Sequence, residues 1–221
     1  MPDSIERALE AALSDRCCLG QILILKTNDG FVLSHREDEA RKDLQTSRNA
    51  EEAVEVAKYD DARNYRPLKT APNLRHGWRL TLQTLQELKR ALDYFYPGRL
   101  AVFAAWKTGQ LHTTNLRDTL DRQSGMYRVA AKISDEQIDD VVAGFCRSDG
   151  GCLRTILWKR DQLGTVSSTK LPNEKFDPTH DQTGALAEPG SATATIPLLC
   201  QEPCNLLVAE CRKVVTGARP R

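Results

Sequence analysis

Hydrophobic and polar positions in the first part of the chain predict a short helix followed by a β-hairpin. Apolar side chains recur at helical spacing over residues 4–13, which predicts an amphipathic helix with Ser4 as its N-cap. Two apolar runs, residues 21–26 and 31–35, then flank the dipeptide Asp29-Gly30. Alternating runs around Asp-Gly are a strong hairpin signal, so we expect two antiparallel strands here.

A charged segment and an irregular one separate this hairpin from the rest of the chain. Residues 37–58 are rich in alanine and charged side chains, which predicts a further helix. Prolines and a glycine interrupt the pattern between Tyr65 and Trp78, so that stretch predicts a long irregular connection. We therefore place a candidate domain boundary at its end, with residues 1–78 as a small α/β scaffold domain built on the hairpin and helices.

Two capping boxes predict helices in the second part of the chain. In each box a hydroxyl residue is followed three positions later by Glu or Gln, and the boxes begin at Thr84 and Ser134. The helix after Ser134 is expected to end at Cys146. The whole pattern thus predicts an α+β protein, in which residues 79–221 form a second, mostly helical domain.

The last third of the chain predicts a loop and then a buried helix. Residues 162–195 are rich in Thr, Ser, Pro and Gly and contain few large apolar side chains, which predicts a long flexible surface loop. An apolar run then reaches Cys200 and continues beyond Cys204. Pro203 suits the first turn of a helix, so Cys204 is expected in that turn, where free N–H groups favour a thiolate.

Composition and charge narrow the class of protein. The chain has 31 basic and 30 acidic residues, so its net charge is +1 and nothing indicates nucleic acid or a membrane surface as a partner. No apolar run approaches the roughly 18 residues that a membrane span needs. The first residues lack the apolar segment of a signal peptide, so we expect a cytoplasmic protein. Thiols stay reduced there, and clustered cysteines then indicate metal ligands before disulfides.

Four of the seven cysteines fall into two close pairs. Cys146 and Cys152 have five residues between them, Cys200 and Cys204 have three, and 47 residues separate the pairs. This arrangement can bring four thiolates to one centre, and four cysteines are the usual ligands of a [4Fe–4S] cluster. The pattern therefore predicts a [4Fe–4S] cluster at these residues. Structural zinc, whose cysteine pairs are usually two to four residues apart, and buried free cysteines remain as alternatives.

The remaining cysteines and the histidines give weaker signals. Cys211 lies two helical turns beyond Cys204, and Cys17-Cys18 are adjacent on a predicted strand, so these three are expected to be core or surface thiols. No phosphate-binding glycine motif, nucleophile elbow or zinc-protease motif is present, and no catalytic acid–base pair is predicted. No two histidines stand at ligand spacing, and each is expected to be a surface or hydrogen-bonded residue: His35, His76, His112 and His180.

Several short motifs resemble one group of multidomain proteins. They are the run from Tyr65 to Leu74, Gly77-Trp78, Tyr96-Pro97-Gly98, the run from Arg122 to Tyr127, Cys152-Leu153-Arg154, Leu157-Trp158 and the run from Pro197 to Asn205. Together they resemble the C-terminal half of proteins whose N-terminal half is a sirohydrochlorin (cobalamin-pathway) chelatase. In that family a small stabilising domain precedes a [4Fe–4S] cluster-binding domain. The resemblance covers nearly the whole chain, and it implies that Cys146, Cys152, Cys200 and Cys204 are the cluster ligands.

The resemblance implies an accessory function rather than chelatase activity. Nothing in this sequence matches the paired metal-binding histidines of the chelatase. We therefore expect an iron–sulfur accessory protein for electron transfer, redox sensing or structural support, linked to tetrapyrrole or chelatase metabolism. Its expected partner is a separate sirohydrochlorin chelatase or another tetrapyrrole enzyme.

Two alternatives to this function stay open at the level of the sequence. Sirohaem-dependent sulfite and nitrite reductases hold their cluster with the same cysteine spacing, so a second resemblance indicates a compact reductase. Their second pair usually stands in a different local sequence from the Leu-Cys-Gln-Glu-Pro-Cys found here. The other alternative is a structural zinc-binding interaction module.

Overall fold

The chain folds into two units, each with its own core. The computed structural model describes residues 3–60, 62–66, 74–146, 155–162, 164 and 194–217. The first unit contains the described residues up to Gln110 together with 194–198, and the second contains those of 111–164 and those from Leu199 onward. Strands and helices are both present, and the predicted α+β class is confirmed.

Within the described residues, the first unit is built on one mixed sheet of six strands. These are β1 (Arg16–Leu19), β2 (Ile22–Thr27), β3 (Gly30–His35), β4 (Gln45–Ser47), β5 (Trp78–Leu82) and β7 (Ala194–Ile196). A separate pair in the second unit consists of β6 (Thr155–Ile156) and β8 (Leu199–Cys200). The order in the large sheet is β4-β5-β3-β2-β1-β7. Its two outer pairs are parallel and its three inner pairs are antiparallel.

The predicted β-hairpin is confirmed as β2 and β3. The two strands pair from Ile22 opposite His35 to Thr27 opposite Gly30. Gly30 has a φ of 134°, and a Cβ atom at this position would lie 2.1 Å from the carbonyl oxygen of Leu82. Glycine is therefore what allows β5 to approach the end of the turn so closely.

Helices pack beside this sheet and complete the first core. In the described part of the unit they are α1 (Ser4–Ala12), a 3-10 turn (Arg36–Asp38), α2 (Glu52–Lys58), α3 (Leu85–Phe95) and α4 (Arg99–Lys107). The predicted capping box starts α3, since the Thr84 hydroxyl accepts from the Glu87 N–H and the Glu87 carboxylate accepts from the Thr84 N–H. Phe95 of α3 stacks on Trp78 of β5 with ring centroids 4.9 Å apart, which joins the helix to the sheet.

Two local predictions for the first unit need correction. The N-cap of α1 is Asp3 and not Ser4, because the Asp3 carboxylate accepts the hydrogen bond from the Glu6 N–H. The helix predicted over residues 37–58 is confined to α2. Strand β4 takes part of that segment because it pairs with β5, and pairing between distant segments leaves little local signal in the sequence.

The division between the units also differs from the predicted boundary at Trp78. Strand β5 begins at Trp78 and lies between β3 and β4 in the sheet, and α3 and α4 follow it in the same unit. Without β5 the backbone edge of β3 would be unpaired. The boundary therefore falls after Gln110.

The second unit is mainly helical. Its described elements are α5 (Leu116–Asp121), a 3-10 stretch (Gly125–Lys132), α6 (Asp135–Val141), a π-helical turn (Val142–Cys146), the pair β6–β8, and α7 (Asn205–Thr216). The second predicted capping box is also confirmed, since Ser134 and Gln137 exchange side-chain and backbone hydrogen bonds at the start of α6. Apolar side chains of these elements form one buried cluster.

Most of the predicted flexible loop at residues 162–195 lies outside the described residues. Its end is described, and Ala194 and Thr195 belong to β7 rather than to a loop. They pair in parallel with Cys17 and Cys18 of β1, so this segment is held at the edge of the first sheet. Among the described helices, none combines the length and the apolar character needed to cross a membrane.

Candidate metal centre

Cys146 ends the π-helical turn that follows α6. The capping box of Ser134 and Gln137 fixes where α6 begins, and Cys146 reaches the buried cluster of the unit with 8% of its surface exposed. Single π-helical turns of this kind are frequent at functional sites. The local fold therefore places one predicted ligand at the margin of an apolar core.

Cys200 lies on β8, where it is opposite Ile156 of β6. The indole N–H of Trp158 donates to its Sγ at 3.3 Å, and its own S–H is directed at the carbonyl oxygen of Glu202 at 3.3 Å. Trp158 is 1% exposed, so the contact between indole and sulfur is shielded from water. A fixed N–H donor of this kind stabilises negative charge on a ligand sulfur.

Cys204 is the N-cap of α7. Pro203 and Cys204 were expected in the first turn of the helix, but its first residue is Asn205, so both precede that turn. Its carbonyl oxygen accepts from the Val208 N–H at 3.2 Å, and among the described groups its side chain makes no capping hydrogen bond. Cys204 thus lies at the N-terminal, positive end of the helix dipole.

The three described cysteines of the two pairs meet at one apolar core. Cys146 is a member of the buried cluster of the second unit, and Cys200 and Cys204 pack against that cluster. Cys152, the remaining predicted ligand, lies outside the described residues. The structure therefore brings three predicted ligands from three separate segments to the same core. Other cluster members are Leu116, Leu120, Ile138, Val142, Trp158, Leu207 and Val208.

The other described cysteines, Cys17, Cys18 and Cys211, do not belong to the two pairs. Cys211 is fully buried in the second core, and burial raises the pKa of its thiol to about 12. Cys17 and Cys18 alternate in burial along β1, and burial raises the pKa of Cys17 to about 11. These placements agree with the predicted core or surface thiols.

A second set of metal-ligating side chains, which sequence reasoning missed, lies in the first unit. A ring nitrogen of His35, a ring nitrogen of His76 and a carboxylate oxygen of Glu37 all lie within 4.8 Å of one another. Burial and then the neighbouring His76 lower the pKa of His35 to about 4. The histidines were predicted to be unpaired because they are far apart in the sequence, whereas the pairing of β3 with β5 brings them together. The available signal was the short spacing of His35 and Glu37.

Two protein families match consecutive parts of the chain. Residues 6–110 match the DR2241 stabilising domain, and residues 108–213 match a 4Fe-4S iron–sulfur cluster binding domain. The two ranges meet where the structure divides into its units. The three described cysteines of the pairs all belong to the second range.

A solved structure also resembles almost the whole chain. It is DR2241 from Deinococcus radiodurans, described as a multi-domain protein with structural similarity to chelatases and with two additional novel domains. The identity is 30%, the TM-score is 0.71, and the match covers 96% of this chain and 41% of that one. This chain thus spans less than half of the length of that relative. No curated protein matches the chain.

Proposed function

We propose that this chain, in which a stabilising domain and a [4Fe–4S] cluster-binding domain are recognised as predicted, is an iron–sulfur accessory protein. It binds one [4Fe–4S] cluster through Cys146, Cys152, Cys200 and Cys204. When bound, such a cluster supplies one-electron redox chemistry and links distant chain segments. The function of the protein is electron transfer, redox sensing or structural support in tetrapyrrole or chelatase metabolism.

The observation that carries this proposal is the convergence of three cysteines on one core. Cys146 comes from the end of a helix, Cys200 from a strand and Cys204 from the start of another helix. All three contact or belong to the same buried cluster, in the part of the chain that matches the cluster-binding family.

The surroundings of the sulfurs suit an anionic cluster. The site is bordered by apolar side chains, which limits the access of water. The indole N–H of Trp158 and the N-terminus of α7 supply positive dipoles near Cys200 and Cys204. Apolar shielding and N–H groups directed at sulfur are the main means by which proteins stabilise and tune iron–sulfur clusters.

A single zinc ion fits the described sulfurs less well. Tetrahedral zinc has Zn–S distances of about 2.3 Å, which brings its sulfur ligands within about 4 Å of one another. The sulfurs of the three described cysteines do not all lie within 4.8 Å of one another, whereas the ligand atoms of His35, Glu37 and His76 do. Each thiolate of a [4Fe–4S] cluster binds a different iron atom, so its sulfurs lie further apart. This favours the cluster over structural zinc.

An anaerobic optical spectrum tests the proposal. We expect purified protein to be brown, with a broad visible absorption that bleaches when dithionite is added. Additional sirohaem bands would replace the proposal by the reductase alternative. Colourless protein that carries zinc at its cysteines would contradict both.

The partner we propose is a separate chelatase or another tetrapyrrole enzyme. The support is the relative DR2241, whose description names similarity to chelatases and of which this chain matches 41%. A pull-down with the tagged, cluster-loaded chain from anaerobic extract is the test. We expect a tetrapyrrole enzyme to be enriched over a control with the Cys204→Ser variant, and recovery of none would contradict the partnership without affecting the cluster itself.

A further inference from the structure

We propose that His35, Glu37 and His76 in the first unit bind a divalent transition-metal ion of the zinc class. The site lies in the domain that matches the stabilising family, and it shares no residue with the four cysteines. It therefore goes beyond the proposed iron–sulfur function, and either can hold without the other. The pairing of β3 with β5 brings the three residues together, since His35 ends β3 and His76 lies just before β5.

The distances between the three side chains suit one shared ion. The Nε2 atom of His76 lies 3.8 Å from Oε2 of Glu37, which is too long for a hydrogen bond. An ion with bonds of about 2.0–2.2 Å to each atom spans such a gap. The rings of His35 and His76 are close as well, with centroids 3.8 Å apart and planes tilted by 53°.

Asp38 orients His76 for this role. Its carboxylate contacts Nδ1 of His76 at 3.2 Å, so that nitrogen carries the ring proton and Nε2 is the ligand atom. The carboxylate is itself held, because it accepts from the Gly77 N–H at 2.6 Å and from Arg41 at 3.2 Å. A buried carboxylate behind a histidine is the usual support of a metal-binding imidazole.

His35 supplies the buried side of the site. It is fully buried, its Nδ1 accepts from the Glu37 N–H at 3.2 Å, and its Nε2 has no hydrogen-bond partner among the described groups. Buried ring nitrogens nearly always have a partner. An ion bound at Nε2 supplies that partner. The ring proton of His35 then lies on Nδ1, and the hydrogen bond from the Glu37 N–H to Nδ1 at 3.2 Å is lost.

The exposure of the other two ligands gives the ion a path from solvent. The side chain of Glu37 is 56% exposed and that of His76 is 29% exposed. Three protein ligands leave a fourth position for water or another molecule, as in open zinc sites. Two imidazoles and one carboxylate suit zinc and related ions, whereas magnesium and calcium prefer oxygen ligands.

Equilibrium dialysis of the full, cluster-loaded chain against Zn²⁺ tests this site. Zinc and iron bound per chain are measured together by elemental analysis. We expect one zinc ion per chain at an unchanged iron content. The variants Glu37→Gln and His76→Gln each remove a ligand, so zinc affinity should fall at least about tenfold in both, the lower end of what loss of even a supporting residue costs.

Matched controls separate this site from other zinc binding. Glu10→Gln and His112→Gln change the same residue types at exposed positions and should bind zinc as the unaltered chain does. Each variant is checked for its fold by circular dichroism, and if His76→Gln is unfolded, the well-exposed Glu37→Gln decides. Equal zinc affinity in the ligand and control variants would overturn the proposal, and so would zinc that is gained only as iron is lost.

Discussion

At the scale of single residues, the surroundings of Cys200 and Cys204 differ from those of the core thiol Cys211. Cys200 receives an indole N–H, Cys204 lies at the positive end of α7, and both are partly exposed. Cys211 is fully buried in the same unit, and burial raises the pKa of its thiol to about 12. A thiolate is therefore disfavoured at Cys211, whereas Cys200 and Cys204 have dipoles of N–H groups beside them.

Replacing a proposed ligand should remove the cluster. In the Cys204→Ser variant the hydroxyl is a poor substitute for a soft thiolate, so we expect most of the bound iron to be lost. The control is Cys18→Ser, which changes a partly exposed cysteine of the other unit and should keep its iron. Iron and sulfide analysis after anaerobic purification measures both. Iron at the unaltered level in Cys204→Ser would remove this residue from the ligand set.

The indole of Trp158 should tune the cluster. Replacing it by phenylalanine removes the N–H that donates to Cys200 Sγ at 3.3 Å while it keeps an aromatic ring in the core. Hydrogen bonds to ligand sulfur raise the reduction potential, so Trp158→Phe should lower it, on the order of tens of millivolts. A redox titration followed by electron paramagnetic resonance measures the shift. A potential that stays the same or rises, at full iron content, would show that this donor does not act on the cluster.

At the scale of secondary-structure elements, signals that lie within a few residues could be read from the sequence. The hairpin at Asp29-Gly30 and the capping boxes at Thr84 and Ser134 each depend on neighbours in the chain, and all three are confirmed. Strand β4 could not be read in this way, because its residues become a strand through pairing with β5. The pairing of β5 with β3 and β4 also explains why the boundary between the units falls after Gln110 and not at Trp78.

The candidate sites follow the same rule. Close pairs of cysteines are recognised by their spacing, so Cys146, Cys200 and Cys204 could be proposed as ligands of one metal centre from the sequence. His35 and His76 carry no such signal, because the register between β3 and β5 is what places them side by side. A site whose residues are brought together by the register of a sheet is recognised only once the structure is known.

The end of the hairpin provides a prediction about an element. A Cβ at Gly30 would lie 2.1 Å from the Leu82 carbonyl oxygen, so Gly30→Ala should destabilise the first unit by at least about 3 kcal/mol. The control is Gly109→Ala, which also has a positive φ but open space around it, and which should cost about 1–2 kcal/mol. Denaturant unfolding measures both free energies. Equal costs would show that β5 can move away from the turn.

At the scale of the whole molecule, two cores form by different means. The first closes through a sheet whose strands come from both ends of the described chain, with β7 beside β1. The second is a smaller cluster of helices and a short strand pair. Small domains of this kind often depend on a metal group for stability, because metal binding and folding share one free energy.

Removing the cluster should therefore weaken the second unit selectively. Hydrogen exchange measured before and after treatment with chelator and oxidant is the test. We expect amides of α6 and α7 to lose at least about tenfold in protection, while those of β2 and β3 keep theirs. Equal loss in both units would indicate global unfolding, and no loss in the second would show that its core does not need the cluster.

The most direct test of the central claim is the amount of iron and acid-labile sulfide in anaerobically purified protein. Four cysteines that hold one [4Fe–4S] cluster predict about four iron and four sulfide per chain. Because Cys152 is one of the four proposed ligands, the iron content of the Cys152→Ser variant should be as low as that of Cys204→Ser. Well-folded protein that contains neither iron nor sulfide, even after anaerobic reconstitution, would contradict the account.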